Sequence, residues 1–505
     1  MHGLLVALLL GITPGLSPAP DVLKAPRPKG GEYFGLYLVD KKVGYVFQDL
    51  TLAPGHPEEA VSTNEIVFKA AVGTKQSERR HKEVRVYQAK PHGKLLRFTI
   101  EDHGDGGEQR LEGKASAAGF SIVRTRPGVA SETLTIPAVK ETVEMADAPR
   151  VLLLQPQPLD LVMLDGTDLS HYHVKSTLGP PEERRINGVQ VTLRRVVTVS
   201  DKDKVPMESL ITSEGALVEV SFPGNSLTAR AEPQSIATRL DQVEIFGLTR
   251  SVLPKAFPAD VRKVPNHVTL VMDGLPEKFQ RPSFRQSFKK LPGGQVEVTL
   301  SAVPVSRATV TRPVKATAAL APYLESTIVV EAKDRAIQAL AKKILAAPLE
   351  VNDNSAPWVL SADGSSLPAK VTLPVSRDAY ISAKKLVGWV SANMKKDYGA
   401  SADRATDVLR QLKGDCTEHS LLSEALLRAA GIPAKRVDGV IYLVNADGVP
   451  AFYWHEWVEA YVGEWTQLDP TFDEMVADAT HLALGEESNA EITPLLGHLK
   501  VTAVR

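Results

Sequence analysis

One stretch constrains this chain more than any other: Gly414-Asp415-Cys416-Thr417-Glu418-His419-Ser420, followed by an apolar run that ends at Gly431. Asp415 is a favourable helix N-cap, and Glu418, three residues on, can complete a capping box. Leu421, Leu422, Ala425, Leu426 and Ala429 recur at helical spacing, and Gly431 with Pro433 marks the stop. The pattern predicts a mostly buried helix with Cys416 as its first residue. Cys416 is the single cysteine of 505 residues, so an intrachain disulfide and a multi-cysteine metal site are both excluded. At a helix start the thiol meets unpaired N–H groups and the positive end of the macrodipole, which favour thiolate. Asp415 and Glu418 push the other way, so the helix end alone activates the thiol poorly and a base is required.

A base is present further along. Phe452 to Val462 (FYWHEWVEAYV) reads as a strand dense in aromatic and β-branched residues, with His455 in it. Gly463 turns the chain, and Trp465 to Asp469 reads as the returning strand, closed by Pro470. Cys416, His455 and Asp469 thus stand in the order nucleophile, base and orienter, the roles a thiol acyl-transfer site requires. Side chains alternate along a strand. A two-residue loop of Gly463-Glu464 would therefore put His455 and Asp469 on opposite faces of the hairpin. A three-residue loop, Val462 to Glu464, or a bulge puts them on one face.

The blocks GDCTEHSLLSEALLRAAGIPAKRVDGVIY, HEWVEAYV and EWTQLDPTF, over roughly Ala379 to His481, resemble the core of the transglutaminase-like superfamily of papain-like thiol enzymes. The resemblance extends to positions outside the chemistry, namely the Arg428–Pro433 helix exit, Trp457-Val458-Glu459 and Asp469-Pro470-Thr471. It implies a Cys-His-Asp triad on an α/β core, with Cys416, His455 and Asp469 at the matching positions. Transamidation, peptide or amide hydrolysis and deglycosylation all occur in this superfamily, and some members have lost activity. A thioester on Cys416, resolved by water or by an amine, is what the resemblance implies here, with a protein or peptide substrate and no cofactor or metal. The competing expectation is a non-catalytic binding or scaffold protein of the cell envelope.

Other candidates weigh less. His419, one turn along from Cys416, competes with His455 as base. His481 lies past the core, where a structural or site-rim role is expected. Trp454, beside His455, is the best candidate to line an acyl channel, and Trp389 is a second substrate-binding candidate. His171 and His173 share a strand face but lack a third ligand. The acidic stretch Glu101 to Glu108 has the wrong glycine spacing for an EF-hand and reads as a solvated hairpin tip. Asp353-Asn354 and Asp363-Gly364 read likewise as loops.

The rest of the chain is β-rich. Thirty-five Gly and 35 Pro suit a turn-rich β protein. With 24% charged residues and a formal net charge of −1, no general affinity for nucleic acid or anionic membranes is expected. Leu4 to Ile12 is too short to span a bilayer and has the character of a signal-peptide core, with Ser17-Pro18-Ala19 a poor cleavage site. The expectation is an exported, periplasmic or extracellular protein, with a cytoplasmic location as the alternative and no integral membrane segment. The expected class is multidomain α+β. Residues 1–30 form a signal-like segment and Pro-rich linker, 31–238 an antiparallel β region, 239–325 a connecting module and 326–505 the catalytic domain. The β region opens with a hairpin turning at Asp40-Lys41-Lys42, and the whole resembles a large bacterial-type member of the superfamily. Helices are expected at Asp334–Leu345, about Asp378–Lys396 and about Ala402–Leu412. Oligomeric state is not legible.

Overall fold

The computed structural model describes residues 21–72, 75–104, 107–186, 188–202, 205–222, 226–305, 310–356, 358–360, 366–398, 402–445, 447–486 and 492–505. The signal-like segment and Asp363-Gly364 lie outside them. The chain first builds one antiparallel sheet of fourteen strands. From Glu32–Leu38 the strands add one after another, each beside the last, as far as Val129–Ile136. The chain then passes through the helix Ala148–Leu154 and lays down the opposite wing inward, from Leu159–Leu164 to Leu227–Ala231, which pairs with Glu32–Leu38. Leu50, Tyr87, Ile100, Leu111, Ile122 and Leu164, from both wings, share one core with Val151 of that helix. The sheet therefore curls around the helix.

The first hairpin turns at Val39-Asp40, both at positive φ (47° and 61°), one residue earlier than the sequence indicates. This two-residue turn is the kind that matches strand twist. Many strands also extend well past their apolar cores. His56–Val72 begins with the polar run His56–Glu59, and Lys75–Gln88 with the polar run Lys75–Lys82. Their polar ends are held by ladder hydrogen bonds and cross-strand pairs such as Arg80–Glu65.

The connecting segment shares a sheet with the end of the chain. Asn266–Asp273, Gln286–Lys290 and Val296–Ala302 form a four-stranded sheet completed by Lys500–Val504 at the chain's end. Its Leu270, Val298 and Leu300 share a core with Val440, Phe452 and Leu482. The C-terminal α/β part has a five-stranded sheet in which Pro450–Tyr461 pairs with Ala434–Val444, with Ser251–Val252 and with Trp465–Leu468. Helices Arg335–Leu345, Ala379–Asn393, Ala405–Gln411 and Cys416–Ala429 pack with the sheet. Leu421, Leu422, Ala425 and Leu426 meet Ile337, Leu386, Val387 and Val458 in one core. Burying each such large aliphatic side chain stabilises by about 1.5–3 kcal/mol, which anchors the helix carrying Cys416.

The far wing of the large sheet docks beside that helix. Arg79 pairs with Asp403, Arg126 with Asp407 at 2.6 Å, and buried Arg124 with Glu331 at 2.9 Å. Among the described residues, no helix is long and apolar enough to cross a membrane.

Candidate active site

The helix start is built as its residues dictate. Asp415 Oδ1 accepts from the Thr417 N–H at 2.9 Å, and Glu418 Oε2 accepts from the Asp415 N–H at 2.9 Å, completing the capping box. Gly414 is required because a Cβ there would lie 2.2 Å from that of Glu418. Cys416 is half-buried. Ser420 Oγ donates to the Glu456 carbonyl at 3.0 Å. The strand residue next to His455 is thus fastened to the Cys416 helix through its main-chain carbonyl. Neither Ser420 nor Glu456 was singled out from the sequence, since the staple joins segments 36 residues apart.

The hairpin takes the three-residue form. Tyr461 pairs with Trp465 and Val458 with Leu468, leaving Val462-Gly463-Glu464 as the loop. That register places Asp469 across from Trp457, on the His455 face. His455 Nε2 lies 2.7 Å from Asp469 Oδ2. Asp469 Oδ1 accepts from the Thr471 and Phe472 N–H groups at 2.8 and 3.2 Å. The carboxylate only accepts, so neutral His455 carries its proton on Nε2 and Nδ1 remains as the ring base. Burial pushes the Asp469 pKa up, but His455 and His481 outweigh it and hold the carboxyl well below the usual range. Cys416 and His455 line the same cleft of about 420 Å³, while no hydrogen bond joins the two side chains.

The thiol is not held as a thiolate in the free protein. Burial pushes its pKa well above the ordinary value, and Asp415, Glu456 and Glu418 add to the rise against the Glu456 N–H. Glu418 and Glu456 are themselves raised by burial, which removes part of their charge, so burial is the main cause. The macrodipole contribution loses to desolvation here.

The other candidates are placed as follows. His419 Nδ1 donates to the Asp415 carbonyl at 2.7 Å, and burial lowers its pKa, so it is a satisfied helix-start residue. Trp454 lines the cleft, and its Nε1–H donates to the Thr249 carbonyl at 3.1 Å. Trp389 does not line it. Its indole packs against the helical core beside Ala379–Asn393, because that helix turns position 389 towards its neighbours. Asp353 and Asn354 are buried rather than loop residues in solvent. Asp353 pairs with Lys384 at 2.6 Å and Asn354 donates to the Val476 carbonyl, since this strand end is covered by the segment after Asp469. The cleft also takes Phe246, Gly247 and Arg250 from the short helix Ile245–Thr249 and the residue after it, outside the expected core. Phe246 meets Tyr398 and Tyr453 edge-on at 6.3 and 6.5 Å. Arg250 is held by Asp447 and by the Tyr453 hydroxyl.

His481 is not at the rim. It is fully buried, with Nε2 3.0 Å from Asp469 Oδ2 and Nδ1 3.1 Å from Asp478 Oδ1. Two trios, His455-Asp469-His481 and Glu474-Asp478-His481, bring potential metal-binding atoms together. The contacts of both histidines with Asp469 and Asp478 have hydrogen-bond lengths, so these lone pairs and protons are already engaged.

A helix-start cysteine thus shares a cleft with a strand histidine and its carboxylate, on the antiparallel sheet of an α/β domain. Residues 366–470 match the model of the transglutaminase-like superfamily, and the chain carries a transglutaminase-like domain there, with Cys416, His455 and Asp469 inside the match and His481 beyond it. Among solved structures, the chain is similar to a candidate cysteine protease from Cytophaga hutchinsonii, at 16% identity over 47% of this chain and 87% of that one, with a TM-score of 0.27. It is also similar to a β-barrel-like protein from Brucella abortus, at 10% identity over 40% of this chain and 94% of that one, with a TM-score of 0.29.

Proposed function

We propose that this protein is a thiol acyl-transfer enzyme acting on peptide or carboxamide bonds, with Cys416 as nucleophile, His455 as base and Asp469 as its orienter. The observation that carries the reading is the shared cleft of Cys416 and His455, with His455 Nε2 bonded to Asp469 at 2.7 Å. Because the resting thiol is protonated, His455 Nδ1 takes its proton as the sulfur attacks the carbonyl carbon. The Cys416 N–H at the helix start faces the developing oxyanion. The imidazolium, steadied by Asp469, then protonates the leaving amine as the C–N bond breaks, and a thioester remains. Water, activated by the same imidazole, releases the acid, or an amine takes the acyl group. Hydrolysis is favoured over crosslinking, in an exported protein whose apolar run at Leu4–Ile12 directs it out of the cytoplasm.

The cleft wall of Phe246, Leu443, Tyr453, Trp454 and Phe472 suits an acyl donor with a bulky apolar side chain beside the scissile carbonyl. The test is turnover of peptide amides by the full chain, with and without an added amine, beside Cys416→Ala. Release of acid or of an amine adduct by the wild type, abolished in Cys416→Ala, is expected. Equal rates from the two proteins would remove the reading.

A further inference from the structure

Asp469 Oδ2 serves two imidazoles. His455 Nε2 approaches it at 2.7 Å and His481 Nε2 at 3.0 Å, while the other nitrogen of His481 faces Asp478 Oδ1 at 3.1 Å. Ionised carboxylates only accept, so a ring set between two of them donates from both nitrogens and is an imidazolium. Resting on the acyl-transfer reading above, we infer that His481 is a positioning residue, a fixed cation that shares Asp469 with His455 and sets the pH at which the Cys416–His455 pair becomes competent.

The surroundings agree. Burial pulls the His481 pKa down, but Asp469, Asp478 and Glu474 outweigh it and raise it to about 10. From the turn after Asp469, Glu474 Oε2 stands 3.9 Å from Nδ1. Burial and Asp478 raise the Glu474 pKa, against the pull of His481 and Arg262. From the turn Ala259–Arg262, Arg262 reaches Glu474 at 3.0 Å and Asp478 at 3.6 Å. Buried Arg285 donates to the carbonyls of Ala477 and Asp478. From the central strand, Trp457 presents its ring edge-to-face at 5.0 Å, and the His455 ring lies 6.2 Å away. Asp469 and Asp478 thus oppose His481, Arg262 and Arg285, and His481 is the cation that touches the His455 carboxylate itself.

A carboxylate whose oxygen already carries a cation pulls less strongly on a second imidazole. The Asp469 carboxylate is thus shared between two rings, and a neutral base is what a protonated thiol needs. Loss of the cation makes both the thiol and the imidazole hold their protons more tightly, so the acid limb of reactivity moves up whichever of them it reports. For rings 6.2 Å apart, effective dielectrics from 80 to 20 correspond to a move of about 0.5–2 pH units.

The experiment uses the full chain, with His481→Gln, which can keep a donor towards Asp469 without the charge, and His481→Asn. Cys416 alkylation by iodoacetamide is followed against pH, and histidine-labelled protein is read by ¹⁵N NMR. The wild type should show one imidazole protonated on both nitrogens to above pH 9, absent from both variants, and their acid limbs should move up within the stated range. An unmoved limb in the folded Gln variant, or no such imidazolium at pH 7 in the wild type, overturns the inference. If both variants unfold, the wild-type spectrum decides. A wild-type thiol that alkylates like free cysteine, with the imidazolium present, removes the acyl-transfer reading and this inference with it. An imidazolium with an unmoved limb removes this inference alone.

Discussion

Replacing Asp469 with Asn changes one oxygen to an amide nitrogen at the centre of the proposed site, and the structure says how the amide will sit. The Thr471 and Phe472 N–H groups, at 2.8 and 3.2 Å from Oδ1, require an acceptor, so the amide oxygen stays there and the NH₂ group takes the place of Oδ2. Its two hydrogens then point at the Nε2 atoms of His455 and His481, which lie 2.7 and 3.0 Å from Oδ2 in the wild type. Both imidazoles can answer by moving their proton to Nδ1. His481 remains bonded to Asp478 as a neutral ring. His455, however, now carries its proton on the atom that must take one from Cys416. The fold survives and the base does not. The imidazolium of the reaction also loses a carboxylate partner. At roughly 4 Å between charge centres and an effective dielectric of 20 this is about 4 kcal/mol, on the order of a thousandfold in rate. The wrong tautomer adds to the loss, so kcat/KM for amide hydrolysis should fall by about 10³–10⁴ with circular dichroism unchanged. A folded Asp469→Asn protein within tenfold of wild-type kcat/KM would refute the assignment of Asp469 as orienter.

Two further outcomes are expected. The His481 pKa is raised on folding from about 6.5 to about 10. Its stabilising contribution is therefore complete below about pH 6.5 and declines as pH rises through 10. Asp469 and Asp478, both depressed, contribute above the ordinary carboxylate range and lose that contribution only in strong acid. Urea unfolding of the wild type should weaken from neutral pH towards pH 10, and a His481→Gln protein with the same alkaline slope would contradict this. In the cleft, Phe246→Ala removes a wall supplied from outside the family-matched residues. It should lower kcat/KM for donors with bulky apolar side chains by about 10–100-fold and leave small donors nearly unchanged. An equal loss for both classes would show that Phe246 does not contact the acyl side chain.

The Cys416 helix was legible because its determinants are local: an N-cap and its partner three residues on, a four-residue apolar period, and a Gly-Pro exit. The reach of His455 and Asp469 to one face was legible as an alternative between loop lengths, since alternation turns a loop count into a face. Trp389 faces the helical core and not the cleft, and the sequence did not separate the two because a helical period identifies a buried face without naming what it is buried against. The helix Ala148–Leu154 gave too few turns to be separated from a strand. Polar strand ends such as Lys75 to Lys82 owe their extended form to neighbours in the ladder, as residue type alone would leave them in a loop.

From its amino acids alone the chain determined a capped cysteine helix, an imidazole strand and an acidic return, because those depend on spacings of a few residues and on backbone alternation. Tertiary structure alone decided that Glu456 would be stapled to that helix, that Phe246 would wall the cleft and that His481 would share a carboxylate with His455. Those are meetings between segments whose order along the chain carries no information about distance. They are also where burial and the neighbouring carboxylates shift the proton affinities of the thiol and of His481, and burial exists only once the core has closed.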